Sequence, residues 1–257
     1  MCIRDRIVVT GYGSQREKEI SSAVTKITAE EFNKGPISSA AGLLEGAVAG
    51  LSIYSKGGNP NAGSTIRLRG ISTLGGNVSP LFVIDGIPGA SIDNLDPQDI
   101  ETINVLKDGS AAAIYGSQGS SGVIIVTTKK GTEGKPSVSY NGYYGVKTQA
   151  HMPNMMNSRQ FYDLYQDEDR FGRGFTAQEI YNVDNGITTD WLDLVSQDAI
   201  QQNHTVSVAG GSKSTTYNFS AGKQLEQGLV QNNEYTRLSL NAGIESKVSE
   251  KMKVGFT

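Results

Sequence analysis

HTVSVAGGSKSTTYNFSAGKQLEQGLVQNNEYTRLSLNAGI, His204 to Ile244, alternates apolar and polar residues with the two-residue period of β-strands. Val206 and Val208 oppose Thr205 and Ser207. Tyr217, Phe219 and Ala221 oppose Asn218 and Ser220, and Leu238, Leu240, Ala242 and Ile244 oppose Arg237, Ser239 and Asn241. Upstream, SVSYNGYYGVK sets Val138, Tyr140, Tyr144 and Val146 on one parity; downstream, Val254 and Phe256 start a fifth strand. The connections alternate in length: a long insert, the tight turn GGSKS, the longer loop QLEQGLVQNN, then the short SKVSEKM. Short turns at one end and longer loops at the other suit a transmembrane barrel. Alternation alone belongs to soluble sandwiches more often than to membrane barrels.

Composition removes other classes. The chain has 257 residues with a net charge of −3 and no basic block, so it offers no electrostatic footprint for nucleic acid. Its single cysteine, Cys2, can form no internal disulfide or Cys-based zinc site. His151 and His204 have no metal-ligand spacing, so no metal or cofactor is expected. No apolar run reaches the length of a membrane-spanning helix. GSKST, from Gly211, lacks the glycine a phosphate loop places before its lysine, and GYGSQR lacks the third glycine of a dinucleotide fingerprint.

The first half reads as a small α+β domain. Thr28 with Glu31 makes a capping box for a short helix that Gly35-Pro36 stops. Ser38 or Ser39 caps a second helix with Leu43, Leu44, Ala47 and Val48 on one face and Gly50 at its end. LSIYS and STIRLRG alternate as strands, the latter with Ile66 and Leu68 against Arg67 and Arg69. In PLFVIDGIP, Asp85-Gly86 signals a two-residue hairpin turn. IETINVLKD continues as a strand, SAAAIYG as a helical turn begun at Ser110, and GVIIVTTKKG as a central strand. KKGTEGKP, Lys129 to Pro136, is the linker between halves.

STIRLRGISTLGGNVSPLFVIDGIPG, Ser64 to Gly89, and LDPQDIETINVLKDGSAAAIYGSQGSSGVIIVTTKKG, Leu95 to Gly131, resemble the plug-domain signature of SusC/RagA-type TonB-linked outer-membrane transporters. TDWLDLVSQDAIQQNHTVSVAGGSKSTTYNFSAGKQLEQGLV, Thr189 to Val230, is similar to the opening barrel strands of the same family. The resemblance, over residues 7–257, implies an α+β plug domain followed by the first strands of an antiparallel transmembrane β-barrel. The family's barrel has 22 strands with the plug in its lumen. Five strands cannot close one, so the chain is expected to be an incomplete N-terminal piece. The expected divisions are 1–6, MCIRDR, a non-native scar; 7–19, a TonB-box-like extended segment; 20–131, the plug; and 132–257, barrel strands and loops.

The same resemblance implies roles. IVVTG, Ile7, Val8, Val9, Thr10 and Gly11, resembles the TonB box, whose β-branched residues suit strand addition to a partner's sheet edge. The alternative is a first strand of the plug. Arg67 and Arg69 are expected to pair with barrel-wall carboxylates, or else to be solvated on a plug edge. Asp85 is expected to serve the turn, and Asp96, Asp99 and Asp108 to sit at caps and turns without acid/base roles. The implied partners are TonB with its inner-membrane energising complex, a SusD-like surface lipoprotein, outer-membrane lipid, and a nutrient such as an oligosaccharide or peptide. The expected function is TonB-dependent nutrient import at the outer membrane, with no catalytic residues. A TonB-linked signalling receptor and a soluble β-rich glycan-binding module are the alternatives.

No substrate-binding residue is assigned. The insert from His151 to Gln202 should hold helices begun by Asn157 with Gln160 and by Thr176 with Glu179. Between Asp163 and Asp198 it carries nine acidic residues and two basic ones, either a solvated surface or a contact for a partner or cation. Trp191, with Phe171 and Phe175, suits either stacking on sugar rings or local packing.

Overall fold

The structure, a computed structural model, describes residues 7–10, 13–16, 24–33, 35, 37, 39–54, 59–60, 62–70, 78–107, 113–168, 174–249 and 252–256. MCIRDR, Gly11, Pro36, Ser38, Asp108, Ser110 and Phe171 lie outside these residues. No helix among the described residues is long and apolar enough to cross a membrane.

Two sheets organise the chain. The first is mixed, with strands β3 (Val24–Thr28), β6 (Leu81–Ile84), β7 (Ile87–Pro88), β8 (Ile100–Leu106) and β9 (Val123–Thr128) in the order β3-β8-β9-β6-β7. β9 is central, as its unbroken apolar run predicts, and pairs parallel with β6 and antiparallel with β8. One face of the sheet packs Ile27, Ile103, Val105, Ile124 and Val126 against Leu43, Leu44, Ile66 and Leu68; the other gathers Val83, Leu106, Val123 and Ile125. The covering pieces are a 3-10 turn, Ala40–Leu44, and the hairpin of β4 (Leu51–Tyr54) with β5 (Thr65–Leu68).

The hairpin turn forms as its chemistry demands. Asp85 and Gly86 both have positive φ, 47° and 88°, between β6 and β7. The Asp85 carboxylate also accepts hydrogen bonds from Thr128 N at 2.9 Å and Thr128 Oγ1 at 2.7 Å, tying the turn to the end of β9.

Three local expectations are corrected. Thr28 N and Oγ1 do donate to Glu31 Oε2, at 3.0 and 3.2 Å, yet residues 29–32 form only a turn, because Thr28 is still the last residue of β3. Ser39 caps Ala40–Leu44, but as 3-10 helix, and Ala47 is exposed while Val48 is buried. The segment Ala113–Gly119 is likewise 3-10, broken at Gly116 (φ 63°).

The second sheet is a five-stranded antiparallel meander: β10 (Gly134–Lys147), β11 (Ala199–Gly211), β12 (Thr215–Gln227), β13 (Glu234–Ser249) and β14 (Met252–Phe256), paired in sequence order. Its strands run beyond the apolar alternation. Residues 224–227 and 246–249, expected in loops, continue β12 and β13, each with a single apolar residue, Leu225 or Val248, among polar ones, too few to extend the alternation. Between β10 and β11 lie α1 (Ser158–Glu168), α2 (Ala177–Asp184) and α3 (Trp191–Val195). Asn157 and Gln160 exchange bonds at the start of α1, and Thr176 with Glu179 forms a complete capping box on α2.

The burial pattern of this sheet is inverted. Leu238, Leu240 and Phe256 are 72%, 68% and 78% exposed, and Val138, Tyr140, Tyr144 and Ile244 share that outward face. The opposite face, carrying Gln201, Asn203, Thr205, Ser220, Gln224 and Glu226, is buried. Among the described residues, the apolar core takes only Ala199 from this sheet.

Candidate functional site

The buried polar face meets the mixed-sheet domain along a seam built from one short segment. Two 3-10 turns, Ile92–Asn94 and Pro97–Asp99, lead into β8 and place Asp93, Asp96 and Asp99 three residues apart. Opposite them β13 sets Arg237, Ser239 and Asn241 two residues apart on its inward face. Each three-residue step along the aspartate segment meets a two-residue step along β13, Asp93 with Arg237, Asp96 with Ser239 and Asp99 with Asn241.

The contacts follow that match. Arg237 Nη1 donates to Asp93 O at 2.8 Å. Asp96 Oδ2 accepts from Thr205 Oγ1 at 2.9 Å and from Ser239 Oγ at 3.4 Å, while its Oδ1 caps its own turn by accepting from Gln98 N at 2.9 Å. Asp99 is hydrogen-bonded to Ser220 and Asn241. Lower down, Asn218 Nδ2 donates to Lys129 O at 2.6 Å, fixing the linker to the wall; at the opposite end of the strands Asn233 Nδ2 donates to Asn59 Oδ1 at 3.1 Å. Gly222 lies in the row of Thr205 and Ser239, where a Cβ would stand 2.5 Å from Asp96 Oδ2; only glycine lets the carboxylate come this close.

Asp96 and Asp99 are 3% and 7% exposed. Burial pushes the Asp99 carboxyl above the usual carboxylate range. The Ser220 bond opposes the rise, the Asp96 charge adds to it, and Lys129 and Asn241 pull it down. Higher on the same wall, Lys147 pairs with Glu226, Gln201 Nε2 donates to Tyr143 Oη at 2.8 Å, and Arg237 Nη2 is buried without a hydrogen-bond partner among the described residues.

These contacts put aspartates on the domain and hydroxyls, amides and Arg237 on the wall. Arg67 is exposed on β5. Arg69 does not share its strand face, because β5 ends at Leu68 and Arg69 has φ 60°, its N–H donating to Gly50 O at 2.8 Å. No local signal marks Thr205 or Ser239, whose partner Asp96 is more than a hundred residues away.

Residues Ile7–Thr10 form an extended strand, β1, paired antiparallel with β2 (Gly13–Arg16), Ile7 opposite Arg16 and Thr10 opposite Gly13. In this two-stranded sheet β1 keeps its second edge unpaired among the described residues. In the insert, Phe161 and Tyr165 lie 4.4 Å apart and Tyr162 and Phe175 4.9 Å apart. Trp191 is 73% exposed at the start of α3.

The family profile described as TonB-dependent Receptor Plug Domain matches residues 16–123. The TonB-dependent receptor SusC of Bacteroides thetaiotaomicron is 38% identical over 257 residues, covering 94% of this chain and 24% of that protein. TonB-dependent receptor P26 of Formosa agariphila is 34% identical over 258 residues, covering 98% of this chain and 26% of its own length. The structure of the RagAB peptide importer in its open-open state superposes with a TM-score of 0.81 at 27% identity, over 97% of this chain and 31% of that one. The chain thus spans about a quarter of the length of these curated relatives. With the plug signature, the inverted sheet and these likenesses together, the chain belongs to the SusC/RagA-type TonB-dependent receptors.

Proposed function

We propose that this chain supplies the plug and first wall strands of an importer that carries a nutrient, an oligosaccharide or a peptide, across the outer membrane when TonB displaces the plug. The carrying observation is the inverted long sheet, apolar outside and polar against the domain. A soluble glycan-binding sandwich would bury the opposite face. In this reading residues 1–6 are a scar, 7–19 the TonB-capture segment, 20–131 the plug and 132–257 the start of the barrel. The nutrient class rests on the likeness to SusC and to the RagAB peptide importer. A SusD-like lipoprotein is the proposed surface partner on the same grounds.

The seam suits a plug that must move. It is polar, so separating it exchanges protein hydrogen bonds for water rather than exposing apolar surface. A neutral hydrogen bond contributes about 1 kcal/mol net and one to a charged group up to about 3 kcal/mol. A proton falling through roughly 150 mV supplies about 3.5 kcal/mol, so a few protons cover the release. TonB would be captured through Ile7, Val8, Val9, Thr10 and Gly11, the unpaired edge of β1 accepting a strand from the partner. Arg67 and Arg69 are proposed to meet wall carboxylates outside these five strands.

Deleting residues 7–11 in the full-length protein tests this. Accumulation of labelled oligosaccharide or peptide should cease while binding at the cell surface persists. Unchanged accumulation would refute the capture segment.

A further inference from the structure

On the outward face of the long sheet, side chains fall into cross-strand rows. Val138, Val208, Phe219 and Ala242 form one, and Tyr140, Val206, Ala221 and Leu240 the next. The row after that, toward the insert, breaks the apolar pattern: Gly142 opposes His204, His204 opposes Lys223, and Lys223 opposes Leu238. An imidazole and an ammonium therefore stand side by side where the apolar belt ends, with the exposed ring of Tyr144 one row further.

The geometry around His204 is built. Tyr140 Oη lies 2.7 Å from His204 Nδ1, and the two rings stack at 6.1 Å and 15°. Tyr140 reaches across Gly142, where a Cβ would lie 2.6 Å from its hydroxyl and 3.1 Å from His204 Nδ1. With the Tyr140 phenol as donor to Nδ1, the ring proton sits on Nε2, and that N–H has no partner among the described residues. Lys223 is exposed and has no ion-pair partner among the described residues. No carboxylate shares its row or either adjacent row; the first on this face is Glu234, four residues beyond Leu238 on β13 and about 14 Å away along the strand.

We propose that Tyr140, His204 and Lys223 form a binding site for the phosphate group of an outer-leaflet lipid, an inference that rests on the outward face meeting the membrane. An ammonium beside hydrocarbon with no counter-ion favours an anion, and a phosphate takes both it and the imidazole N–H as donors. A lipid fits better than a free ion because Val206, Ala221 and Leu240 lie directly below, where acyl chains would cover them.

The test uses the full-length transporter in phosphatidylcholine nanodiscs doped with lipid A, either phosphorylated or enzymatically dephosphorylated, with retained lipid counted by native mass spectrometry. Wild-type protein should retain the phosphorylated form roughly fivefold over the dephosphorylated one. The double variant His204→Gln, Lys223→Gln should lose that preference, while Lys213→Gln in the opposite turn keeps it. Equal retention of both forms by wild-type protein would overturn the site yet leave the lipid-facing sheet standing; retention of neither would overturn both. Excess inorganic phosphate should leave the lipid bound, and displacement by it would overturn the assignment to a lipid.

Discussion

Thr205 Oγ1 donates to Asp96 Oδ2 at 2.9 Å, joining residues 109 positions apart across the seam between plug and wall. Its acceptor, Asp96, also takes a hydrogen bond from Ser239 on β13, in the same cross-strand row as Thr205. A double-mutant cycle of Asp96→Asn and Thr205→Val, read by the urea midpoint of plug release in the full-length protein, should give a coupling of about 1 to 2 kcal/mol. Additive effects would mean the bond does not hold the plug.

Gly222 offers a harsher test of the same contact. A methyl group there meets Asp96 Oδ2 at 2.5 Å and Ser239 Oγ at 2.7 Å, and relief requires these side chains to turn away from the hydrogen bonds they make across the seam. Gly222→Ala should loosen the plug by about 1 to 3 kcal/mol and raise amide exchange in residues 93–99. Gly145→Ala, which meets nothing within 4 Å on the same sheet, should leave exchange unchanged.

Asp99 gives the seam a pH dependence. Its carboxyl titrates above the ordinary 3.8 when docked, so the docked plug binds a proton more tightly than the released one. Docking should therefore strengthen as pH falls from the raised value toward 3.8, and the destabilisation should be complete above the raised value. Release midpoints measured across that window should fall with rising pH, and Asp99→Asn should remove the slope. A slope of opposite sign would contradict the burial effect.

Asp85 combines two jobs, the left-handed turn and the two bonds from Thr128. Asp85→Asn tolerates the backbone and keeps an acceptor, so it should cost less than Asp85→Ala, for which a loss of about 2 to 3 kcal/mol in plug stability is expected by thermal unfolding. Equal costs would show that neither the retained acceptor nor the tolerance of positive φ matters, which would contradict both jobs.

Legibility in the sequence followed the range of the interaction. Asp85-Gly86, the Thr176–Glu179 cap and the alternation of β11 to β13 are local chemistry, and each forms as read. The seam is not local. Ser220, Ser239, Asn241 and Thr205 look like ordinary polar strand positions until the mixed domain is laid against them. Thr28 with Glu31 made its hydrogen bonds without a helix, since a cap satisfies donors but cannot turn the end of a paired strand into a helix.

The proposal that the apolar face of the long sheet meets lipid can be tested directly by placing single tryptophans in the full-length protein at Phe219, Leu238 and Leu240, and separately at Ser220 and Ser239, in vesicles of brominated phospholipid. Strong quenching at the first three positions with little at the last two is the predicted result. Equal quenching on both faces, or none on the apolar one, would contradict it.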